Sequence, residues 1–155
     1  MIEQKFAGIR AVTSLEDVLS DEAVKGIFVS ASPSAHYALA SQILRSGKSL
    51  FIEKPPCRSL AELDKLILLQ GQHRAPVAMV DLQKRYAPAV KLLQKRLKRE
   101  RLISYSLNYL TGAYPEGDTL LDLFIHPLDL VCDLFGRPQI LSCQQVTRTH
   151  DNNPD

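Results

Sequence analysis

Two short segments of the sequence carry side chains that could bind a hydroxyl group or move its proton. The first is Glu53-Lys54-Pro55, which follows the apolar pair Phe51-Ile52. Proline cannot continue a central strand, and the carboxyl ends of strands in an open α/β sheet face the ligand. Rigid backbone on both sides would aim the Lys54 ammonium at a substrate hydroxyl or carbonyl. A surface lysine beside a turn explains this segment equally well when the segment is taken alone.

The second segment runs from Asp122 to Asp129 and reads DLFIHPLD. On an α-helix, Asp122 and His126 lie one turn apart on one face, so the carboxylate can orient the imidazole for general acid-base chemistry. For an isolated pair of this kind, a hydrogen-bonded core histidine is the commoner outcome. Pro127 removes a helical N–H and disfavours helical geometry at His126, which predicts a kink or a new helix start. We interpret Asp129 and Asp133 mainly as solvated or capping residues.

Alternating strand and helix patterns before residue 82 predict the elements that position the first segment. Continuous apolar runs indicate strands buried on both faces, and serines followed by helical spacing indicate capped helices. The strands are expected at Gly26–Ser30, Ser49–Ile52 and Pro76–Val80, and the helices after Ser14, from Ser32-Pro33 to Ser46, and from Ser59 to about Gly71. This order is typical of a doubly wound α/β fold with a parallel sheet.

The pattern changes near residues 82 to 87, where we place the start of a second, α+β region. The elements expected there are a helix from Pro88, a strand at Ile103–Tyr109, a helix at Asp118–Phe135 interrupted at Pro127, and a strand at Gln139–Thr147. The polar tail from Thr149 to Asp155 is expected to fray. The second segment of chemical interest therefore lies on a helix outside the parallel sheet.

The composition excludes several classes of protein. With 45% hydrophobic and 23% charged residues among 155, the chain resembles an ordered globular domain. No apolar run approaches the roughly 18 residues that span a bilayer, and no signal peptide is evident, so we expect no membrane contact and a cytoplasmic location. Cys57, Cys132 and Cys143 lack metal-site spacing, and we expect reduced, mostly buried thiols and no bound metal.

The net charge of +2 does not predict nucleic-acid binding. One local basic cluster occurs late in the helix that begins at Pro88. A solvated helix face is the preferred interpretation of this cluster, and a nucleic-acid site is the weaker alternative. Its members are Lys91, Lys95, Arg96, Lys98, Arg99 and Arg101.

Four motifs in order resemble the Gfo/Idh/MocA oxidoreductases. They are ASPSAH from Ala31 to His36, EKP from Glu53 to Pro55, KRYAP from Lys84 to Pro88, and DLFIHPLD from Asp122 to Asp129. The resemblance implies a partial Rossmann-like NAD(P) domain over residues 1–83 and part of a substrate and dimerisation domain over 84–155. It also implies oxidation or reduction of a sugar or polyol with NAD or NADP, and it leaves a homo-oligomer open.

The resemblance assigns roles to particular residues. It implies that Lys54 binds the reacting hydroxyl, that His126 moves its proton and that Asp122 supports both. The cofactor would lie beside the residues that follow the first two strands. They are Ser30, Ser32, Pro33, His36, Glu53 and Lys54.

Two departures from the family pattern lead to an alternative hypothesis. The sequence contains no G-x-G-x-x-G turn, which in relatives seats the pyrophosphate, and Asp81-Leu82-Gln83 replaces the usual G-F-N. We therefore expect a fragment with impaired cofactor binding, and a non-catalytic remnant or partner subunit of the same fold is the second hypothesis. The sequence does not distinguish NAD from NADP.

Overall fold

Three parallel strands form the centre of the structure. The computed structural model describes residues 8–73, 77–110, 118, 120–144 and 146. Strands β1 (Gly26–Val29), β2 (Ser49–Ile52) and β3 (Ala78–Val80) are hydrogen-bonded in the order β1-β2-β3. Phe28 pairs with Phe51, and Phe51 pairs with Met79. The predicted α/β class and parallel sheet are confirmed.

Within the described residues, five α-helices and two irregular turns surround or follow this sheet. The helices are α1 (Leu15–Ser20), α2 (Pro33–Arg45), α3 (Leu60–His73), α4 (Pro88–Leu97) and α5 (Ile125–Phe135). A 3₁₀ turn at Gln83–Tyr86 precedes α4, and a π-helical turn at Leu120–Phe124 precedes α5. The π-helical turn contains Asp122, one of the residues singled out in the sequence.

Local signals explain where α2 and α3 begin and where α2 ends. Helix α2 starts at Pro33, and Gly47, whose φ is +74°, follows it. At α3, the Glu62 N–H donates to Oγ of Ser59 (3.2 Å), and the Arg58 N–H donates to the Glu62 carboxylate (2.8 Å). This capping arrangement satisfies two N–H groups at the helix start. Helix α3 continues past Gly71 to His73, so the predicted end at Gly71 is wrong.

The core lies between the sheet and one layer of helices. Side chains of Val29, Leu50 and Ile52 on the sheet pack with Ile43 and Leu44 on α2 in one buried cluster. Ile43 is 0% exposed and Ile52 is 1% exposed. Burial of such side chains removes about 1.5 to 3 kcal/mol of unfavourable hydration each. The sheet and α2 therefore form the rigid support of the residues at their ends.

The opposite face of the sheet is open among the described residues. Phe28, Phe51 and Met79 form a row across this face, and the rings of Phe28 and Phe51 stack at 4.7 Å. Phe28 is 79% exposed. The expected coverage of these strands on both faces is therefore not found in the described part of the chain.

Two predicted strands are absent from the described residues after β3. Residues 101–110, and residues 139–144 with 146, have no strand hydrogen bonding. In place of a ladder, Tyr105 stacks on Phe135 at 4.0 Å, and the Lys84 ammonium lies 5.3 Å from the centre of the Tyr109 ring. A strand requires a neighbouring strand for its N–H and C=O groups, and no described segment pairs with these runs as a strand.

The predicted break at Pro127 is displaced toward the start of the segment. The irregularity is the π-helical turn at Leu120–Phe124, and Pro127 lies in the first turn of α5. The missing N–H of proline costs no helical hydrogen bond in a first turn. Helix α5 ends as predicted at Gly136, whose N–H donates to the Cys132 carbonyl at 3.0 Å.

The cysteines differ in exposure, contrary to the expectation of mostly buried thiols. Cys57 is buried, whereas Cys132 and Cys143 are exposed, and all three are free. Within the described ranges, no cluster of His, Cys, Asp or Glu side chains has the geometry to hold a metal. Among the described residues, no helix is long and apolar enough to cross a bilayer.

Candidate functional site

Lys54 emerges from the carboxyl end of β2 and reaches the turn before α5. Its Nζ donates a hydrogen bond to the carbonyl oxygen of Asp122 at 2.5 Å. The residue is half-buried, and a cis peptide bond joins it to Pro55. Because β2 is the central strand of the sheet, the backbone that carries this ammonium is anchored on both sides. The two segments singled out in the sequence, 68 residues apart, thus meet directly.

Asp122 is 7% exposed and lies within the π-helical turn. Its carboxylate accepts the Asp118 N–H at 2.9 Å, and its own N–H donates to the Asp118 carbonyl at 2.7 Å. Nδ1 of His126 has no hydrogen-bond partner among the described residues, so the expected orientation of the imidazole by the Asp122 carboxylate is not found at that nitrogen. The aspartate contacts Lys54 through its carbonyl oxygen.

His126 is buried at the start of α5, with 8% of its surface exposed. Its Nδ1 is buried and has no hydrogen-bond partner within the part of the chain described. Such an atom loses the free energy of hydration without compensation, at a cost of about 1 to 3 kcal/mol. An unpartnered ring nitrogen beside a lysine ammonium is suited to a polar ligand.

The charges around His126 come from several elements. Burial lowers the pKa of His126, and the ammonium groups of Lys54 and Lys84 lower it further. The carboxylates of Asp129 and Asp81 act in the opposite direction. The imidazole is therefore mostly neutral at pH 7 and is able to accept a proton.

His36 holds the backbone of the site and is closed to ligands. It is 1% exposed, and its Nδ1 lies 2.7 Å from the Pro55 carbonyl oxygen while its Nε2 lies 3.0 Å from that of Ala31. The predicted cofactor contact of His36 is therefore wrong, because both ring nitrogens are occupied by backbone. The side chain instead ties the segment after Lys54 to the turn between β1 and α2.

The remaining residues predicted at the cofactor lie together at the ends of β1 and β2. Ser30, Ser32 and Pro33 are exposed where β1 leads into α2, and Glu53 is half-buried at the end of β2. The Oγ atoms of Ser32 and Ser34 are 3.1 Å apart. The structure thus places four of these residues at the carboxyl ends of the strands.

Two adjoining clefts open beside these residues. The first, of about 220 Å³, lies between the start of α2 and the π-helical turn and is lined by Pro33, Pro55 and Asp122 among others. The second, of about 500 Å³, is almost wholly apolar and is lined by Cys57, Leu82 and Ile125 among others. Burial raises the pKa of the Cys57 thiol, which keeps it protonated and disfavours a nucleophilic role.

Sequence reasoning missed an ion-pair cluster near His126. Nε of Arg85 donates to Oδ2 of Asp129 at 2.8 Å, a second guanidinium nitrogen contacts Oδ1 of Asp129, and Asp133 lies within 3.7 Å. Asp129 and Asp133 are thus paired residues, contrary to their interpretation as solvated or capping groups. Their spacing after His126 was visible in the sequence, but Arg85 lies 44 residues before Asp129.

The chain is similar to a family of oxidoreductases and to individual proteins that are named as oxidoreductases. Residues 2–81, just over half of the chain, match the family GFO_IDH_MocA, described as an oxidoreductase family with an NAD-binding Rossmann fold. YceM of Salmonella typhimurium, named as an oxidoreductase, is 29% identical over 112 residues, which cover 71% of this chain and 36% of that protein. Escherichia coli YhhX, also named as an oxidoreductase, is 23% identical over 161 residues, covering 97% of this chain and 46% of that one.

Solved structures of full-length proteins share the fold. Bacillus subtilis yvaA, named as an oxidoreductase, superposes with a TM-score of 0.76 at 24% identity over 88% of this chain and 42% of its own. A Sinorhizobium meliloti protein named as a myo-inositol dehydrogenase gives 0.68 at 17% identity over 81% of this chain and 41% of its own. The chain spans less than half the length of each of these four proteins.

Proposed function

Because the chain belongs to the GFO_IDH_MocA oxidoreductase family, we propose that it acts with NAD or NADP on a hydroxyl or carbonyl group of a sugar or polyol. The observation that supports this most directly is the approach of Lys54 to the helix start that carries His126. A polyol also appears in the name of the Sinorhizobium meliloti neighbour. Residues 1–83 would form the cofactor part and residues 84–155 part of the substrate domain.

The two side chains suit complementary tasks at one substrate oxygen. The Lys54 ammonium donates hydrogen bonds, so it stabilises the negative charge that develops when a hydroxyl loses its proton. The neutral His126 ring would accept that proton at a ring nitrogen, and it would return the proton when a carbonyl is reduced. Asp122 would act indirectly, because its carbonyl oxygen fixes the Lys54 ammonium at 2.5 Å.

The edge formed by β1 and β2 fits the nicotinamide half of the cofactor. The cleft of about 220 Å³ is lined by Pro33 and Ser34 in the first turn of α2, and the exposed Ser30 and Ser32 and the half-buried Glu53 belong to the segments that follow β1 and β2. Carboxyl ends of parallel strands and the N–H groups of a helix start are favourable places for such a ligand. When bound, the nicotinamide supplies or accepts the hydride at the substrate carbon.

Binding and turnover test this proposal separately. We expect the 155-residue chain to bind NADH or NADPH weakly, with a saturable change in nucleotide fluorescence at high nucleotide concentration, and to oxidise a member of a sugar and polyol panel slowly. Lys54→Ala and His126→Ala should each lower kcat/KM about a hundredfold or more. Lys65→Ala and His73→Ala, at exposed positions on α3, are the matched controls and should retain wild-type values.

Each outcome assigns the chain to one hypothesis. Tight, saturable nucleotide binding would count against the non-catalytic remnant or partner subunit of the same fold. Absence of both binding and turnover would reject the oxidoreductase proposal for this chain and favour that alternative. Full activity in both Lys54→Ala and His126→Ala would reject the assigned roles while leaving the family unchanged.

A further inference from the structure

Arg85 connects the end of the parallel sheet to the helix that carries His126. It belongs to the 3₁₀ turn that follows β3, and its guanidinium forms two hydrogen bonds with the Asp129 carboxylate on α5. The Asp129 side chain is 8% exposed. A planar guanidinium that meets a carboxylate with two bonds fixes orientation as well as distance. This contact therefore restricts rotation and sliding of α5 against the turn.

A second acidic side chain extends the cluster to a third element. Asp133 lies one helical turn after Asp129, within 3.7 Å of another Arg85 nitrogen. Its other oxygen accepts a hydrogen bond from Gln94 of α4 at 2.6 Å. The 3₁₀ turn, α4 and α5 are thus joined at one polar cluster, formed by Arg85, Asp129, Asp133 and Gln94, which we call the arginine clamp.

The clamp lies on the same side of α5 as His126. Asp129 follows His126 by three residues, a spacing that places two side chains on neighbouring positions of one helix face. The charged groups that face His126 are Lys54 from the end of β2, Lys84 from the 3₁₀ turn, Asp81 from the end of β3, and Asp129 itself. Of these, only Asp129 is bonded to Arg85.

We propose that Arg85 is a positioning residue, which holds α5 so that His126 faces Lys54 and which neutralises the Asp129 carboxylate beside the imidazole. The catalytic meaning of this role rests on the function proposed above. The geometric and electrostatic parts do not, because they concern the relation between Arg85, Asp129 and His126 in the chain without any ligand.

Substitution of Arg85 and substitution of Asp129 should shift the pKa of His126 in opposite directions. Replacing Arg85 by methionine leaves the Asp129 charge uncompensated, so the pKa of His126 should rise. Replacing Asp129 by asparagine keeps the shape of the side chain and removes its charge, so the pKa of His126 should fall. If Arg85 and Asp129 only stabilised the fold, the two substitutions would not shift the titration midpoint of His126 in opposite directions.

Titration of the histidine ring protons by NMR in the full 155-residue chain tests the proposal. Loss of one signal in His126→Gln assigns the resonance among the four histidines. We expect a raised midpoint in Arg85→Met, a lowered midpoint in Asp129→Asn, and no change in Arg96→Met, which alters an exposed arginine on α4. Unchanged midpoints in both clamp variants, or shifts in the same direction, would overturn the proposal.

Arg85→Lys guards against loss of folding in the methionine variant. It retains the positive charge but forms one bond where arginine forms two, so the His126 midpoint should stay near the wild-type value. In a chain that turns over, Arg85→Lys should lower kcat/KM about tenfold, mainly through kcat, since a small misplacement of an acid-base group is costly. A midpoint in Arg85→Lys that matches Arg85→Met would contradict charge neutralisation by the clamp.

Failure of the proposed function gives a different result. Opposite midpoint shifts in a chain that binds neither NADH nor NADPH would retain the clamp and reject the oxidoreductase activity. Measurable turnover with an unshifted His126 midpoint in both clamp variants would retain the oxidoreductase activity and reject the clamp.

Discussion

The region that contains the sheet and the region that carries His126 bury different kinds of side chain. In the first, the buried hydrophobic residues lie between Val29 and Leu66 and form one cluster. In the second, the buried residues among those described are Asp122, His126 and Pro127, whereas many of its leucines are exposed. The first region is therefore held by apolar packing, and the position of α5 depends mainly on polar contacts.

This difference separates the support of the site from its adjustable part. Lys54 is carried by the central strand of a packed sheet, so its backbone position is well defined. His126 is carried by a helix that the Lys54 hydrogen bond to the Asp122 carbonyl and the arginine clamp connect to the sheet. Polar contacts of this type change in strength when the pH or a neighbouring charge changes, whereas apolar packing does not.

The largest expected effect is the loss of stability when a cavity is made in the apolar region. We expect Ile43→Ala to lower the free energy of unfolding by about 2 to 5 kcal/mol, because the side chain is fully buried and its neighbours cannot refill the space. Urea unfolding followed by circular dichroism measures this difference. Ile67→Ala, at a position 60% exposed on α3, is the matched control and should change little. Equal losses in the two variants would mean that no packed core exists here.

A medium effect is expected at the start of α3. Ser59→Ala removes the Oγ that accepts the Glu62 N–H, and it should lower the free energy of unfolding by about 1 kcal/mol. Ser14 precedes α1 without a side-chain capping bond, so Ser14→Ala should cost less. The same unfolding experiment compares the two variants. A larger loss at Ser14 would contradict the assignment of the cap.

The smallest effect concerns pH and the polar region. Burial lowers the pKa of His126 below the unfolded value of 6.5, so the unfolded chain binds more protons as the pH falls through that window. The stability from this group is complete above pH 6.5 and is lost as the pH falls through the folded-state pKa. Unfolding between about pH 7 and about pH 5 should show a steeper decline in wild type than in His126→Gln. Identical slopes would indicate a solvated imidazole.

Sequence signals predicted the apolar region well because they are local. The strand at Ser49–Ile52, the capping pair Ser59 and Glu62, and the glycine after α2 each depend on a few adjacent residues. These signals specify hydrogen bonds within one turn or one strand, so no knowledge of distant contacts is needed. The identity of Lys54 as a residue at a strand end followed from the same local reasoning.

The polar region was predicted less well because its contacts are distant in sequence. Period-two patterning at Ile103–Tyr109 indicated a strand, but no described segment supplies its partner. The helical spacing of Asp122 and His126 indicated a direct pair, but Nδ1 of His126 has no partner among the described residues, and Asp122 contacts Lys54 through its carbonyl oxygen. His36 was assigned to a cofactor by resemblance, yet its ring is occupied by backbone 5 and 19 residues away. Arg85 and Asp129 meet only after the chain has folded.

The most direct test of the central claim asks whether Lys54 and His126 share one site. The NMR titration of His126 described above should be repeated in Lys54→Met, with Lys65→Met as the control on an exposed position of α3. The Lys54 ammonium lowers the pKa of His126, so its removal should raise the midpoint while Lys65→Met leaves it unchanged. A midpoint that is the same in Lys54→Met and in wild type would mean that the two side chains do not face each other, and it would contradict the account.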